Sequence, residues 1–160
     1  MRRRCSGRRW VSENAGILDC VLHLDALAYS QMVALAYDDL PLEACGLLGG
    51  RPGGPVGSSR PALATTFYPT ANLANSSKVY TVDPKAHLRA ERDAEDRGHE
   101  IIGVMHSHTH TEAYPSPTDV AQAPDPGWHY VIVSLRDNAP TLRSYRIVGG
   151  EVVEEPVAVI

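Results

Sequence analysis

The chain has 160 residues, of which 43% are hydrophobic and 21% charged, the size and mix of one globular domain that folds without help from disulfides or a structural metal. Its formal net charge is −4, but Arg2, Arg3, Arg4, Arg8 and Arg9 crowd into the first nine residues; without them ten positive groups face nineteen negative ones. So acidic a body argues against nucleic-acid binding, which needs Lys and Arg gathered on one surface. No run approaches the roughly 20 apolar residues that cross a bilayer, so no membrane role is expected. Three sparse cysteines, Cys5, Cys20 and Cys45, with no CxxC pair and no apolar leader after the basic start, suit a reducing cytoplasm.

Residues 1–16 read as a flexible arginine-rich extension, and 17–160 as a single domain. The first strand is expected over 17–24. A helix follows over 25–38, capped by Asp25, with Leu27, Met32, Leu35 and Ala36 as its core positions. Pro41 separates it from 42–50, LEACGLLGG, too short and glycine-rich for a helix and read as a strand. The Gly, Pro and Ser of 51–61 mark an exposed loop, the place inside the fold where disorder is most expected. Strands are predicted at 62–69 and 79–83, around a polar loop. Pro84 then opens a helix that ends at Gly98.

The run at 100–108, EIIGVMHSH, has the apolar character of an interior strand with polar chemistry at its exit. Ser116 and Pro117 are the N-cap and first-turn residues of a short helix over 116–124, and 129–135 is again a strand. Gly149-Gly150, between LRSYRIV and EVVEEPVAVI, predicts a hairpin. This order of elements gives an α/β fold, a central mixed sheet flanked by helices.

The chemistry gathers at His106-Ser107-His108, followed after seven residues by Ser116 and after two more by Asp119. Residues i and i+2 of a strand share a face, so His106 and His108 offer two imidazoles to one point, with Cα atoms roughly 7 Å apart. A turn through Pro115 and Pro117 brings the Asp119 carboxylate back toward them. Zinc accepts such a His2Asp set in a tetrahedral site and keeps a fourth position open for water or substrate. His110 continues the alternation; it could replace one ligand, hold a second ion, or lie beside a substrate. A proton acceptor is also required. Glu43, a charge at the start of an apolar segment, is one candidate, and Glu112, just past the histidines, is its rival.

These residues carry a resemblance. Glu43 with His106-x-His108-x7-Ser116-x2-Asp119 resembles the JAMM, or MPN-plus, metalloprotease family, and EACGLLGG with HSHTHTEAYPSPTD resembles its small bacterial branch that processes ubiquitin-like sulfur carriers. Within that branch the similarity, from about Leu18 to the C-terminus, is to actinobacterial hydrolases that release cysteine from a carrier's C-terminus. The resemblance implies a JAMM/MPN fold, related in outline to cytidine deaminases. It also implies Zn2+ on His106, His108 and Asp119, Glu43 as the proton shuttle, Ser116 as a donor to the developing oxyanion, and Ser107 as a support behind the site. The implied partner is a ubiquitin-fold carrier ending in Gly-Gly, laid as an extended tail along a sheet edge. The oligomeric state stays open, and so short a chain is not expected to grip ubiquitin chains.

Other classes fit less well. An isopeptidase acting on lysine conjugates would share the site, and a silent MPN-type scaffold would not need the full residue set. A zinc deaminase calls for a PCxxC ligand motif that is missing here. Cys45 is flanked by apolar residues and reads as packing rather than as a nucleophile.

Overall fold

The computed structural model describes residues 22–56 and 58–160. The predicted N-terminal extension, Cys5, Cys20 and the 17–21 part of the first predicted strand lie outside them. In chain order the elements are β1 (Leu22–Leu24), α1 (Ala26–Asp38), β2 (Cys45–Arg51), β3 (Ala62–Thr70), α2 (Pro84–Asp96), β4 (Glu100–His108), α3 (Pro117–Ala121), β5 (His129–Ser134), β6 (Thr141–Val148), β7 (Glu151–Glu155) and β8 (Val157–Val159). All eight strands join one mixed sheet in the order β7-β6-β5-β4-β2-β3-β1-β8. Pairings β4–β5, β1–β3 and β1–β8 are parallel and the rest antiparallel.

Helix α1 covers one face. Asp25 caps it, accepting from the backbone N–H of Leu27 at 2.9 Å and of Ala28 at 3.3 Å. Ala28, Met32 and Ala36, spaced by four residues, are buried against Leu24, Leu48, Met105, Val131 and Val133. Truncating Met32 to Ala there would cost about 2–5 kcal/mol. Leu27, expected in this core, is instead 66% exposed: it precedes Ala28 by one residue and so points about 100° away from the buried stripe.

Helix α2 covers the other face. Asp83 caps it, and Ala90 and Ala94 let it approach a second core of Leu47, Val104, Tyr130, Ile132, Tyr145 and Ile147. Residues 79–83, expected as a strand, form only an isolated bridge between Asn72 and Val82. The Asn72 side chain takes the place of a neighbouring strand there, donating to the carbonyl of Val79 and accepting from the N–H of Thr81. The described part of the 52–61 connection is tied by the Gly54 N–H to the Arg60 carbonyl and the Arg60 Nη2 to the Gly53 carbonyl.

At the C-terminal end, Gly149 and Gly150 have φ of +59° and +83°, the left-handed pair a tight hairpin between β6 and β7 requires. The predicted final run is two strands. Pro156 separates β7, which pairs β6, from β8, which pairs β1 at the far margin of the sheet. The two margins are therefore joined through one residue. No helix among the described residues is long and apolar enough to cross a membrane.

Candidate metal centre

Strand β4 carries His106 and His108 to the end of the sheet on the α2 side, both buried. Ser107, between them, points through the sheet, where its Oγ accepts from the Ala44 N–H at 2.8 Å while its own N–H donates to the Ala44 carbonyl at 3.0 Å. The segment that carries Glu43 is thus clamped to β4. That segment precedes β2, which begins at Cys45 and not at the expected position 42.

Helix α3 supplies the third donor. Ser116 is its N-cap and Asp119 its third residue, in a reciprocal capping box: the Asp119 N–H donates to Ser116 Oγ at 3.1 Å, and the Ser116 N–H donates to Asp119 Oδ2 at 2.7 Å. The same Oδ2 lies 3.3 Å from His106 Nε2 and 3.5 Å from His108 Nε2, and the two Nε2 atoms are 3.1 Å apart. Three donors held about 2.0–2.1 Å from one tetrahedral centre would be about 3.3–3.4 Å from each other. The three groups therefore fit a zinc-sized ion, and they form a group able to hold a metal.

Electrostatics agrees with that fit. The His108 Nδ1 donates to the Glu112 carbonyl at 2.7 Å, which leaves its Nε2 lone pair toward the cluster. Burial holds the His106 imidazole below its ordinary pKa, in the neutral ligating form. Burial alone would raise the Asp119 pKa, but hydrogen bonds from His106 and His108 and the Ser116 N–H outweigh it, and the carboxyl stays well below its usual range. For His108 the burial penalty is likewise overcome, by Asp119 and the Glu112 carbonyl, so its pKa rises. Two facing imidazole nitrogens beside a carboxylate are stable only with a proton or cation among them.

Glu43 is only 4% exposed, and its Oε2 is buried without a hydrogen-bond partner among the described residues. Burial, reinforced by the charge of Asp119 and opposed by His108, pushes its pKa up to about 7. Its rival is placed elsewhere: the Glu112 side chain is exposed, and only its carbonyl serves the cluster, through His108. His110 is exposed too and pairs its Nδ1 with Thr109 Oγ1 at 2.8 Å, outside the cluster of His106, His108 and Asp119. Cys45 is fully buried with its Sγ 3.3 Å from Thr70 Oγ1, and burial pushes the thiol pKa up, away from a nucleophile's.

Two neighbours went unrecognised in the sequence. Tyr80 stacks on His106, with ring centroids 4.5 Å apart and planes 18° from parallel. Asn72 donates from Nδ2 to the Glu43 carbonyl at 3.0 Å and the Val79 carbonyl at 3.0 Å, and accepts at Oδ1 from Ala74 and Thr81. Asn72 does not stand out by residue type in a polar loop, nor Tyr80 in a segment read as a strand. Beside Asp119 a cleft of about 390 Å3 opens, walled by Leu47, Tyr80, Val82, Val104 and Trp128, with His87 at its side.

A mixed sheet between helices is the architecture of the JAB1/MPN class, and here two strand-end histidines and a capping aspartate gather on one side of it. The chain belongs to the family described as prokaryotic homologs of the JAB domain, which residues 25–148 match. It is 46% identical over 141 residues to the CysO-cysteine peptidase of Mycobacterium tuberculosis, covering 88% of this chain and 92% of that protein. With the desampylase of Haloferax volcanii it shares 33% identity over 100 residues, 62% of this chain and 67% of that one. Among solved structures, DSY2949 from Desulfitobacterium hafniense superposes with a TM-score of 0.77 at 35% identity, over 87% of this chain and 92% of that one. AF2198, a JAB1/MPN domain protein from Archaeoglobus fulgidus, has a TM-score of 0.51 at 20% identity over 85% and 98%, and bears on the fold alone.

Proposed function

We propose that the chain is a zinc-dependent hydrolase that cleaves the amide between the C-terminal glycine of a ubiquitin-fold sulfur carrier and cysteine, or another short appendage, in the cytoplasm. The observation that carries this reading is the convergence of three donor atoms 3.1–3.5 Å apart beside a buried carboxylate whose Oε2 has no hydrogen-bond partner among the described residues. The similarity to a CysO-cysteine peptidase supports the choice of substrate.

His106, His108 and Asp119 would hold the ion. When bound, zinc supplies a Lewis acid that acidifies water and polarises an amide carbonyl. Glu43 takes up the proton lost by the attacking water and hands it to the departing amine; a pKa of about 7 lets it do both at neutral pH. Ser116 Oγ accepts from the Asp119 N–H and so keeps its own hydrogen to donate to the carbonyl oxygen as that atom gains charge. Asn72 fixes the Glu43 carbonyl, and Ser107 fixes the backbone of the next residue, Ala44. The products are the carrier with a free Gly-Gly carboxylate and the free amino acid.

The test is to incubate the zinc-loaded protein with a carrier bearing C-terminal cysteine and follow intact mass. Loss of one cysteine residue is expected, and none with Glu43→Gln. An intact adduct under zinc-replete conditions defeats the substrate assignment. The relative named desampylase supports a second reading, hydrolysis of an isopeptide bond to lysine, and a lysine-linked conjugate in the same assay separates the two.

A further inference from the structure

A second cavity, of about 650 Å3, lies on the other face of the sheet, bordered by β5, β6, β7 and residues 52–56. Alternation along β6 sends Tyr145 and Ile147 into the core beneath α2, the side of the imidazoles, and turns Arg146 the opposite way. Arg146 lines the cavity yet is only 5% exposed. It forms no ion pair among the described residues. Among the described residues its Nη1 and Nη2 reach only the carbonyls of Gly54 and Pro126, each at 3.4 Å, and its Nε is buried with no partner.

A guanidinium keeps its charge at any pH a protein tolerates, so a buried one normally has a counter-charge. The acids nearby do not supply it. Glu155 spends Oε1 on His129 Nδ1 at 2.5 Å and on Ser144 Oγ at 2.6 Å, and its Oε2 is itself buried without a partner among the described residues. Glu151 lines the same cavity but is exposed. His129, bound to Glu155, also lines the cavity, and the wall is otherwise largely apolar, with Pro55, Val56, Pro126, Val148 and Val153. A charge awaiting its partner at the base of an apolar hollow of this volume matches a small amphipathic anion.

We propose that this cavity is a binding site for a small organic carboxylate with a branched apolar body, its head on Arg146 and its body against Pro55, Val148 and Val153. A carboxylate suits the flat fork of the guanidinium, and the carbonyls of Gly54 and Pro126 hold that fork in place. The site lies across the sheet from Asp119 and does not depend on the hydrolytic reading.

The experiment is thermal unfolding and calorimetric titration of the full chain with 3-methylbutanoate, with 3-methyl-1-butanol as the uncharged isostere and inorganic phosphate as a headgroup without a body. The carboxylate at ten times its Kd is expected to raise Tm by about 3–5 °C. The alcohol should give no shift and phosphate a smaller one. Arg146→Gln should abolish the response. Because that variant removes a buried group and could misfold, Val153→Trp serves beside it: Val153 is 44% exposed at the cavity wall, and the larger ring blocks entry while leaving the guanidinium intact. No heat and no shift from the carboxylate, an equal response to the alcohol, or a response that survives both substitutions overturns the proposal. So does an experimental structure in which Arg146 pairs with Glu155.

Discussion

Asn72 holds Glu43 by its main chain: the Asn72 Nδ2 donates to the Glu43 carbonyl at 3.0 Å, while the Glu43 N–H donates to the carbonyl of Ser76, in the loop that Asn72 also braces. The same loop delivers Tyr80 to the face of His106. Asn72→Ala should therefore lower kcat by about 10- to 100-fold, the cost of a misplaced proton acceptor, with zinc content retained. Asn72→Asp, which keeps the acceptor and loses the donor, should fall equally far. Turnover and zinc stoichiometry measured on the same preparation check this; parallel loss of metal would point to collapse of the whole cluster.

Ser116 caps α3, and the proposed mechanism gives it a second, separable duty. Ser116→Ala should remove the N-cap of α3, at about 1 kcal/mol of stability, and the proposed donor to the oxyanion, at about 100-fold or more in kcat. Bound zinc should stay stoichiometric, since the Ser116 contact to Asp119 Oδ2 comes from the backbone N–H. Steady-state kinetics with metal analysis separates the two effects, and a drop in metal rather than turnover would contradict the assignment.

Ion removal should loosen the fold. At free zinc a thousandfold above Kd the ion stabilises the native state by about 4 kcal/mol, so chelation should lower Tm by roughly 10 °C. His108→Ala, which removes one of the three donors, should show the low Tm with or without chelator. Calorimetric scans of the four samples decide the matter.

The pH dependence of the metal-free protein has a definite sign. The Glu43 carboxyl binds its proton more tightly when folded, at a pKa of about 7 against 4.5 for the ordinary group. Its contribution is complete below pH 4.5 and is lost as pH rises through 7. Relative to Glu43→Gln, the wild type should lose about 2 kcal/mol between pH 5 and pH 8, once solvent at the mouth of the site is allowed for. Urea denaturation of both proteins at several pH values measures it; a constant difference would show that Glu43 is better solvated than its 4% exposure suggests.

Much of this was legible from local pattern. His106 and His108 follow an apolar run, Ser116 and Pro117 announce a cap, and Glu43 interrupts an apolar stretch, so the residues that the fold gathers stand out by type. What failed depended on distant partners. The 79–83 segment has strand-like residues, but the Asn72 side chain satisfies its backbone from across a loop. Leu27 sits within a helix whose buried stripe is set by what α1 packs on, not by hydrophobicity alone. Arg146 looks like ordinary outward alternation in a strand, because nothing nearby in sequence tells that residues 52–56 will border it.

Pro156 stitches the two margins of the sheet, with consequences for synthesis. Strand β1 is the earliest described element, yet one of its two neighbours is β8, through Leu22 with Val157 and Leu24 with Val159. On the ribosome that flank stays bare while everything between is made, and α1 must wait on an unsealed surface. Closure comes only when the final strand emerges, so a nascent chain stalled before residue 157 carries an adhesive edge that chaperones would have to shield.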